Sequence, residues 1–144
     1  MALSILVAAL VCYLLGNHNG AICVSAILGD DVRKHGSGNA GLTNFIRNYG
    51  TSSALMVVVI DAGKAVLACV LGGLLLQPYG LGLEGRVLGG ACVMLGHVFP
   101  ALQGFRGGKG ILSGLFVALS VDWRIALMIV VVFFTFYLLT QYVS

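Results

Sequence analysis

Charge is what this sequence has least of. Its 144 residues hold eight Lys or Arg and five Asp or Glu, 9% of the chain, where a soluble domain carries about 25%. With 59% hydrophobic residues and a mean hydropathy of +1.03, an ordinary soluble domain is excluded and an integral membrane protein is expected. So sparse a charge also leaves no basic surface for nucleic acid. Strict period-two alternation is missing, which excludes a β-barrel; the apolar runs are continuous and read as helices. The first fifteen residues lack a basic start and a clear small-x-small site, so they do not read as a cleavable signal peptide. Cys12, Cys23, Cys69 and Cys92 are too scattered for a disulfide framework or a zinc site and read as small buried hydrophobes. No metal and no cofactor are implied.

Glycine is abundant instead. Its 21 copies suit membrane helices that pack closely through small residues. Gly16/Gly20, Gly85/Gly89, Gly104/Gly108 and Gly110/Gly114 share the four-residue spacing, although so glycine-rich a chain makes most such pairs by chance. A spanning helix needs about 20 mostly apolar residues. The candidates are Ala2 to Leu28, interrupted at Gly16-Asn17-His18-Asn19-Gly20 and so either one long tilted helix or a broken one; Ala54 to Leu76, with Asp61 and Lys64 inside; Val87 to about Leu102; Ile111 to Val121, too short to span alone; and Ile125 to Leu139. Trp123, Tyr137 and Tyr142 suit the two interfaces. The expected fold is therefore all-α and polytopic, with about five transmembrane or partial membrane helices in a single domain over residues 1–144. If the helices alternate, Arg33, Lys34, Arg47, Arg106 and Lys109 share one side, and Arg86 and Arg124 the other. The positive-inside rule makes the first side cytoplasmic.

Two polar stretches fall on that side and are expected to converge there. One is Lys34-His35-Gly36-Ser37-Gly38-Asn39-Ala40-Gly41-Leu42-Thr43-Asn44, followed by Arg47. The other runs from Gly96-His97-Val98-Phe99-Pro100 to Phe105-Arg106-Gly107-Gly108-Lys109-Gly110. Exposed backbone N–H groups beside Lys and Arg are what a phosphate needs. The formal dinucleotide fingerprint Gly36-x-Gly38-x-x-Gly41 is rejected, because it needs a βαβ unit and membrane helices flank it here. Gly108-Lys109 is no P-loop either, with Gln103 and Gly110 at two of its required positions.

Several residues admit two readings. Ser37 and Asn39 fit a capped turn or a donor cradle for phosphate. Arg47 fits a positive-inside anchor or a bidentate phosphate fork on the same helical face as Asn44. Lys109 fits a juxtamembrane lysine, but its flanking glycines favour close approach to an anion. Asp61 and Lys64, three apart on one face, fit a structural ion pair at least as well as catalysis. His97 fits a hydrogen-bonded structural histidine better than a base.

Taken in order, the motifs resemble those of the bacterial acyl-phosphate:glycerol-3-phosphate acyltransferases, the PlsY type. That family's first signature, Gly-Ser-Gly-Asn-x-Gly-Ala-Thr-Asn-x-x-Arg, stands here as Gly36 to Arg47 with Leu42 for alanine as the sole departure. Its Asp-x-x-Lys is Asp61 to Lys64, its Gly-His-x-Phe-Pro is Gly96 to Pro100, and its Phe-x-Gly-Gly-Lys-Gly is Phe105 to Gly110. The resemblance runs from about residue 16 to the end.

The resemblance implies acyl transfer from acyl phosphate to the 1-hydroxyl of glycerol 3-phosphate, giving lysophosphatidate in phospholipid synthesis at the bacterial inner membrane. It implies Ser37, Arg47 and Lys109 as catalytic residues. Gly36, Gly38, Asn39, Gly41, Thr43, Asn44, Gly107, Gly108, Gly110, His97 and Lys64 would bind substrate, with a substrate phosphate as base. It also implies a carboxyl-terminal truncation, because the family's third signature, a His and an Asn borne by two further helices, has no counterpart up to Ser144. The alternative is a non-catalytic protein binding phospholipid or an anionic ligand, or a small transporter.

Overall fold

Hydrocarbon offers backbone N–H and C=O groups no water, so each apolar run must close its hydrogen bonds within itself. The computed structural model describes residues 1–141 and resolves those runs into seven α-helices. They are α1 (Ala2–Gly16), α2 (Gly20–Ile27), α3 (Leu42–Tyr49), α4 (Ala54–Leu76), α5 (Gly82–Val98), α6 (Ile111–Val121) and α7 (Trp123–Thr140), with no strand among the described residues. Helices α4 and α6 keep the bounds expected from the sequence. Helix α5 starts at Gly82 rather than Val87: Glu84 sits in its first turn, where a carboxylate suits the helix dipole despite its low hydropathy. The run from Ala2 to Leu28 is broken, with α1 and α2 bent by 46° at Asn17–Asn19. Three stretches are long and apolar enough to cross a bilayer, four if the bent pair is one span. Tyr142 lies outside the described residues.

Glycine sets the closeness of packing. A Cβ on Gly72 would strike the carbonyl of Gly85 and come within 3.2 Å of Gly89 Cα, so α4 and α5 touch backbone to backbone. Gly89 in turn faces Ala68, and Gly16 of α1 faces Gly96 of α5. The Gly85/Gly89 spacing is therefore a packing face, whereas Gly104 meets nothing and is a turn residue with φ of 68°. Helix α7 fully buries only Ala126 among its side chains, and much of its apolar surface turns outward, as a lipid-facing helix does.

Chain direction places the segments 28–53 and 99–110 at one end of the bundle and the α4–α5 and α6–α7 turns at the other. The short α3 lies across the first end, with Phe45 buried against α2 and α4 and stacked on Tyr49 at 4.7 Å.

Candidate active site

Four helix ends meet inside the bundle rather than at its surface, and each end carries backbone groups without helical partners. A buried polar cluster satisfies them. Asp61 Oδ1 accepts from Gly20 N at 2.9 Å at the start of α2. Lys64 Nζ donates to His18 O at 3.0 Å and reaches Gly16 O at 3.4 Å at the end of α1. The two charges pair at 2.8 Å, so the cation sits at a helix C-terminus and the anion at a helix N-terminus, as the helix dipoles favour. Lys64 Nζ also donates to His97 Nδ1 at 2.8 Å, near the end of α5, and Ser113 Oγ donates to Asp61 O at 3.3 Å at the start of α6. Asn19 caps α2 through Ile22 N at 3.1 Å and donates to Ala40 O at 3.0 Å. This favours the structural-pair reading of Asp61 and Lys64.

The first glycine-rich loop is organised by Asn44. Its amide is 2% exposed and donates to the carbonyls of Val32, His35 and Asn39 at 3.0–3.1 Å. Its Oδ1 accepts from Ser37 N at 3.0 Å and from Asn48 Nδ2 at 3.1 Å. Gly36 and Gly38 have φ of 55° and 70°, and a Cβ on Gly36 would drive into Asn44 Oδ1. Glycine is thus required there by backbone conformation and by the close approach of Asn44.

The second loop, residues 105–110, folds back into the bundle over His97. Gly107 N and Gly108 N donate to Val98 O and His97 O, each at 3.2 Å. A Cβ on Gly108 would strike Ala40 O and lie 2.6 Å from His97 Nε2, so this residue is where the two loops touch. Arg33 ties them together from outside. Its guanidinium grips the Asp31 carboxylate at 2.9–3.2 Å and donates to Gln103 O at 2.8 Å and Arg106 O at 3.2 Å. The Arg33 hydrogen bond holds the Asp31 carboxyl below its usual range. The convergence of the two stretches is therefore observed.

Between the loops opens a cavity of about 300 Å³. Its polar end is formed by Asn39, Gly41, Thr43, Asp61, His97, Lys109 and Gly110. Its apolar end is formed by Leu112 and Leu115 of α6 and Ile129, Val130, Phe133 and Phe134 of α7. Helices α3 and α6 both begin at the polar end, behind Gly41 and Gly110, and neither has a side-chain cap. The first turns of two helices, each with N–H groups that lack helical partners, therefore line one cavity beside Lys109, whose ammonium has no partner among the described residues. An anion is stabilised there without any further device.

Of the residues singled out in the sequence, Asn39, Gly41, Thr43, His97, Lys109 and Gly110 line this cavity together. Gly36, Ser37 and Gly38 form an exposed rim of the first loop, next to Asn39 in the chain but outside the lining; Asn44 holds this rim through Ser37 N, and Gly107 and Gly108 pack over His97, also outside the lining. Arg47 is exposed on α3 outside the lining, and Lys64 lies behind His97, away from the cavity. Sequence reasoning left Asn19, Arg33 and the α7 lining out of the site. The polar break in an apolar run was the available signal for Asn19; Arg33 and the α7 face had none. No cluster of metal-binding side chains occurs among the described residues.

Comparison with known proteins is consistent across sequence and structure. The family model described as glycerol-3-phosphate acyltransferase matches residues 6–144. A glycerol-3-phosphate acyltransferase of Clostridioides difficile is 39% identical over 143 residues, covering 98% of this chain and 70% of that protein. One of Finegoldia magna is 38% identical over 144 residues, covering 99% of this chain and 70% of that protein. Among solved structures, PlsY, an integral membrane glycerol 3-phosphate acyltransferase, superposes in its glycerol 3-phosphate form with a TM-score of 0.81 at 29% identity. That match covers 96% of this chain and 68% of the other. Its lysophosphatidic acid form gives a TM-score of 0.76.

Proposed function

The chain belongs to the glycerol-3-phosphate acyltransferase family, and from that premise we propose that it moves an acyl group from an acyl phosphate to the 1-hydroxyl of glycerol 3-phosphate. The observation that carries this reading is the two-ended cavity: helix N-termini and Lys109 at one end, and α6 and α7 side chains at the other. An acyl phosphate has the same two ends. Its phosphate sits at the N-termini of α3 and α6, and its chain runs between Leu115 and Phe133 toward lipid. An acyl phosphate is a mixed anhydride with a good leaving group, so the protein needs to position and stabilise charge rather than form a covalent intermediate. The hydroxyl oxygen attacks the carbonyl carbon, the bond to the phosphate oxygen breaks, and the hydroxyl proton ends on a substrate phosphate. Lys109 and Arg47 grip phosphate oxygens; Ser37, Asn39 and the loop amides bind phosphate or the developing oxyanion. Arg47 shares a face of α3 with Thr43, one turn nearer the rim, and a long guanidinium there reaches an anion at the mouth.

Binding of glycerol 3-phosphate or an acyl phosphonate, read by isothermal titration in nanodiscs, tests this. Lys109→Ala and Arg47→Ala are each expected to weaken one of the two by roughly tenfold or more, since hydrogen bonds to charged groups contribute about 1.5–3 kcal/mol. Arg86→Ala, at the other end of the bundle and bonded to Ser120 O, should change little. Equal losses from all three would assign the effect to general membrane charge. The direct assay is formation of lysophosphatidate from acyl phosphate and labelled glycerol 3-phosphate.

The reading also places the loops on the cytoplasmic side of the bacterial inner membrane, as the five basic residues at that end favour. A membrane-impermeant thiol reagent added to intact cells should modify Glu84→Cys and spare Lys34→Cys, both positions being exposed. Labelling of Lys34→Cys alone would invert the topology.

A further inference from the structure

We propose that His97 is a fixed hydrogen-bond donor to the acyl phosphate, not a base, and that Lys64 acts as the positioning residue that sets its tautomer. This rests on the acyl-transfer reading of the cavity.

Donor counting carries the argument. An ammonium has three N–H donors and no acceptor. Those of Lys64 have three acceptors within 3.0 Å: Asp61 Oδ1, His18 O and His97 Nδ1. With a charged Lys64 at 2.8 Å, Nδ1 must be the unprotonated nitrogen, so the proton of the neutral ring is on Nε2. The nearest polar group to Nε2 is Asn19 Nδ2 at 3.5 Å. That amide is oriented by its own bonds to Ile22 N and Ala40 O, so it presents a donor. The opposite tautomer would set N–H against N–H at 2.8 Å, a far tighter conflict than 3.5 Å. The Nε2–H therefore has no acceptor among the described residues, although His97 is only 3% exposed and lines the cavity. A buried donor without an acceptor is costly, and a substrate oxygen in the cavity supplies one.

The same surroundings disfavour a base. The charged and titratable groups facing His97 are Asp61 and Lys64 of α4 and, across the cavity, Lys109; Cys23 of α2 lies within electrostatic reach of Lys64. Asp61 is already neutralised by Lys64, and its Oδ1 is 3.6 Å from Nδ1. With Nδ1 occupied by Lys64 and the ring proton on Nε2, His97 turns no free lone pair toward the cavity to accept the hydroxyl proton.

The test uses the full chain in lipid nanodiscs with ¹⁵N-labelled histidine, His97 being assigned by its loss in His97→Asn. The expected result is a ring that carries its proton on Nε2 and is bare at Nδ1. Its Nε2–H resonance should shift on adding a long-chain acyl phosphonate, and Lys64→Met should give a tautomer mixture. A second arm reads turnover. His97→Gln keeps a donor near Nε2 and should retain far more activity than His97→Asn, which keeps only the acceptor near Nδ1 and should lose about 10²-fold. An Nδ1–H or imidazolium form, or activity that follows Asn rather than Gln, overturns the proposal. An Nδ1–H ring in an active chain sinks this inference alone. An Nε2–H ring in a chain that makes no lysophosphatidate sinks the acyl-transfer reading instead.

Discussion

Lys64→Met is expected to lower stability by about 3–5 kcal/mol, because removing one partner of a buried ion pair strands the other charge. Asp61 and Lys64 are 2% and 6% exposed, so water does little to screen the remaining group. The lysine variant should be the worse of the two single changes. It leaves the Asp61 carboxylate unpaired and removes the donor to His18 O at the end of α1. Asp61→Asn keeps an acceptor for Gly20 N, so part of the α2 start survives. The double variant removes both charges and should recover part of the loss, although the α1 carbonyls still lack their donor. Midpoints of denaturant unfolding in detergent micelles rank the four proteins. A Lys64→Met variant within about 1 kcal/mol of the parent would mean that the pair does not hold the break, because a surface pair contributes no more than that.

Most of the architecture was legible because lipid imposes a simple rule. Continuous apolar runs of the right length located α4 and α6 at their observed bounds, and the polar interruption at Asn17–Asn19 located the bend between α1 and α2. The start of α5 was missed because hydropathy penalises Glu84 and Arg86, while the pattern that matters there is small residues against Gly72. In the site, the i,i+3 spacing of Asp61 and Lys64 announced an ion pair, but not that it closes a helix break 40 to 50 residues earlier. Arg33 read as one more cytoplasmic anchor, since its acceptors Gln103 and Arg106 are 70 and 73 positions away. Nor does an all-apolar helix such as α7 reveal which face lines a cavity and which meets lipid. Ile129, Val130, Phe133 and Phe134 were therefore invisible as cavity-lining residues.

Asn44→Ala should abolish phosphate binding while leaving the spanning helices in place. The resemblance to the acyltransferases implies this residue only as one of many substrate-binding positions. In the structure, its side chain is the shared partner of five groups: three carbonyls at Val32, His35 and Asn39, the Ser37 N–H, and the Asn48 amide. Truncation removes one donor from each of the three carbonyls, which keep backbone donors from His35, Gly38 and Gly41, and leaves the Ser37 N–H without its acceptor, at about 1–3 kcal/mol for a group that water does not reach. What remains on residues 35–39 is local, the His35–Asp30 pair and the short backbone bonds from His35 N to Val32 O and from Gly38 N to His35 O, and Gly36 and Gly38 impose no conformation of their own. The rim then samples many states, and a phosphate site that needs its donors held to within about 0.5 Å is lost. A fall of at least 100-fold in affinity for glycerol 3-phosphate or an acyl phosphonate is expected, given two or more charged hydrogen bonds of roughly 1.5–3 kcal/mol. Asn44→Asp separates packing from donation. It preserves size and the acceptor for Ser37 N, but loses the donors and places a carboxylate beneath an anion site. It should bind as poorly as the alanine variant. The circular-dichroism helix signal should stay near that of the parent in both, because α4, α5 and α7 do not depend on the loop. If Asn44→Asp bound phosphate like the parent, the three carbonyl contacts would be incidental and the rim would be held by the Ser37 N–H bond together with its own backbone bonds.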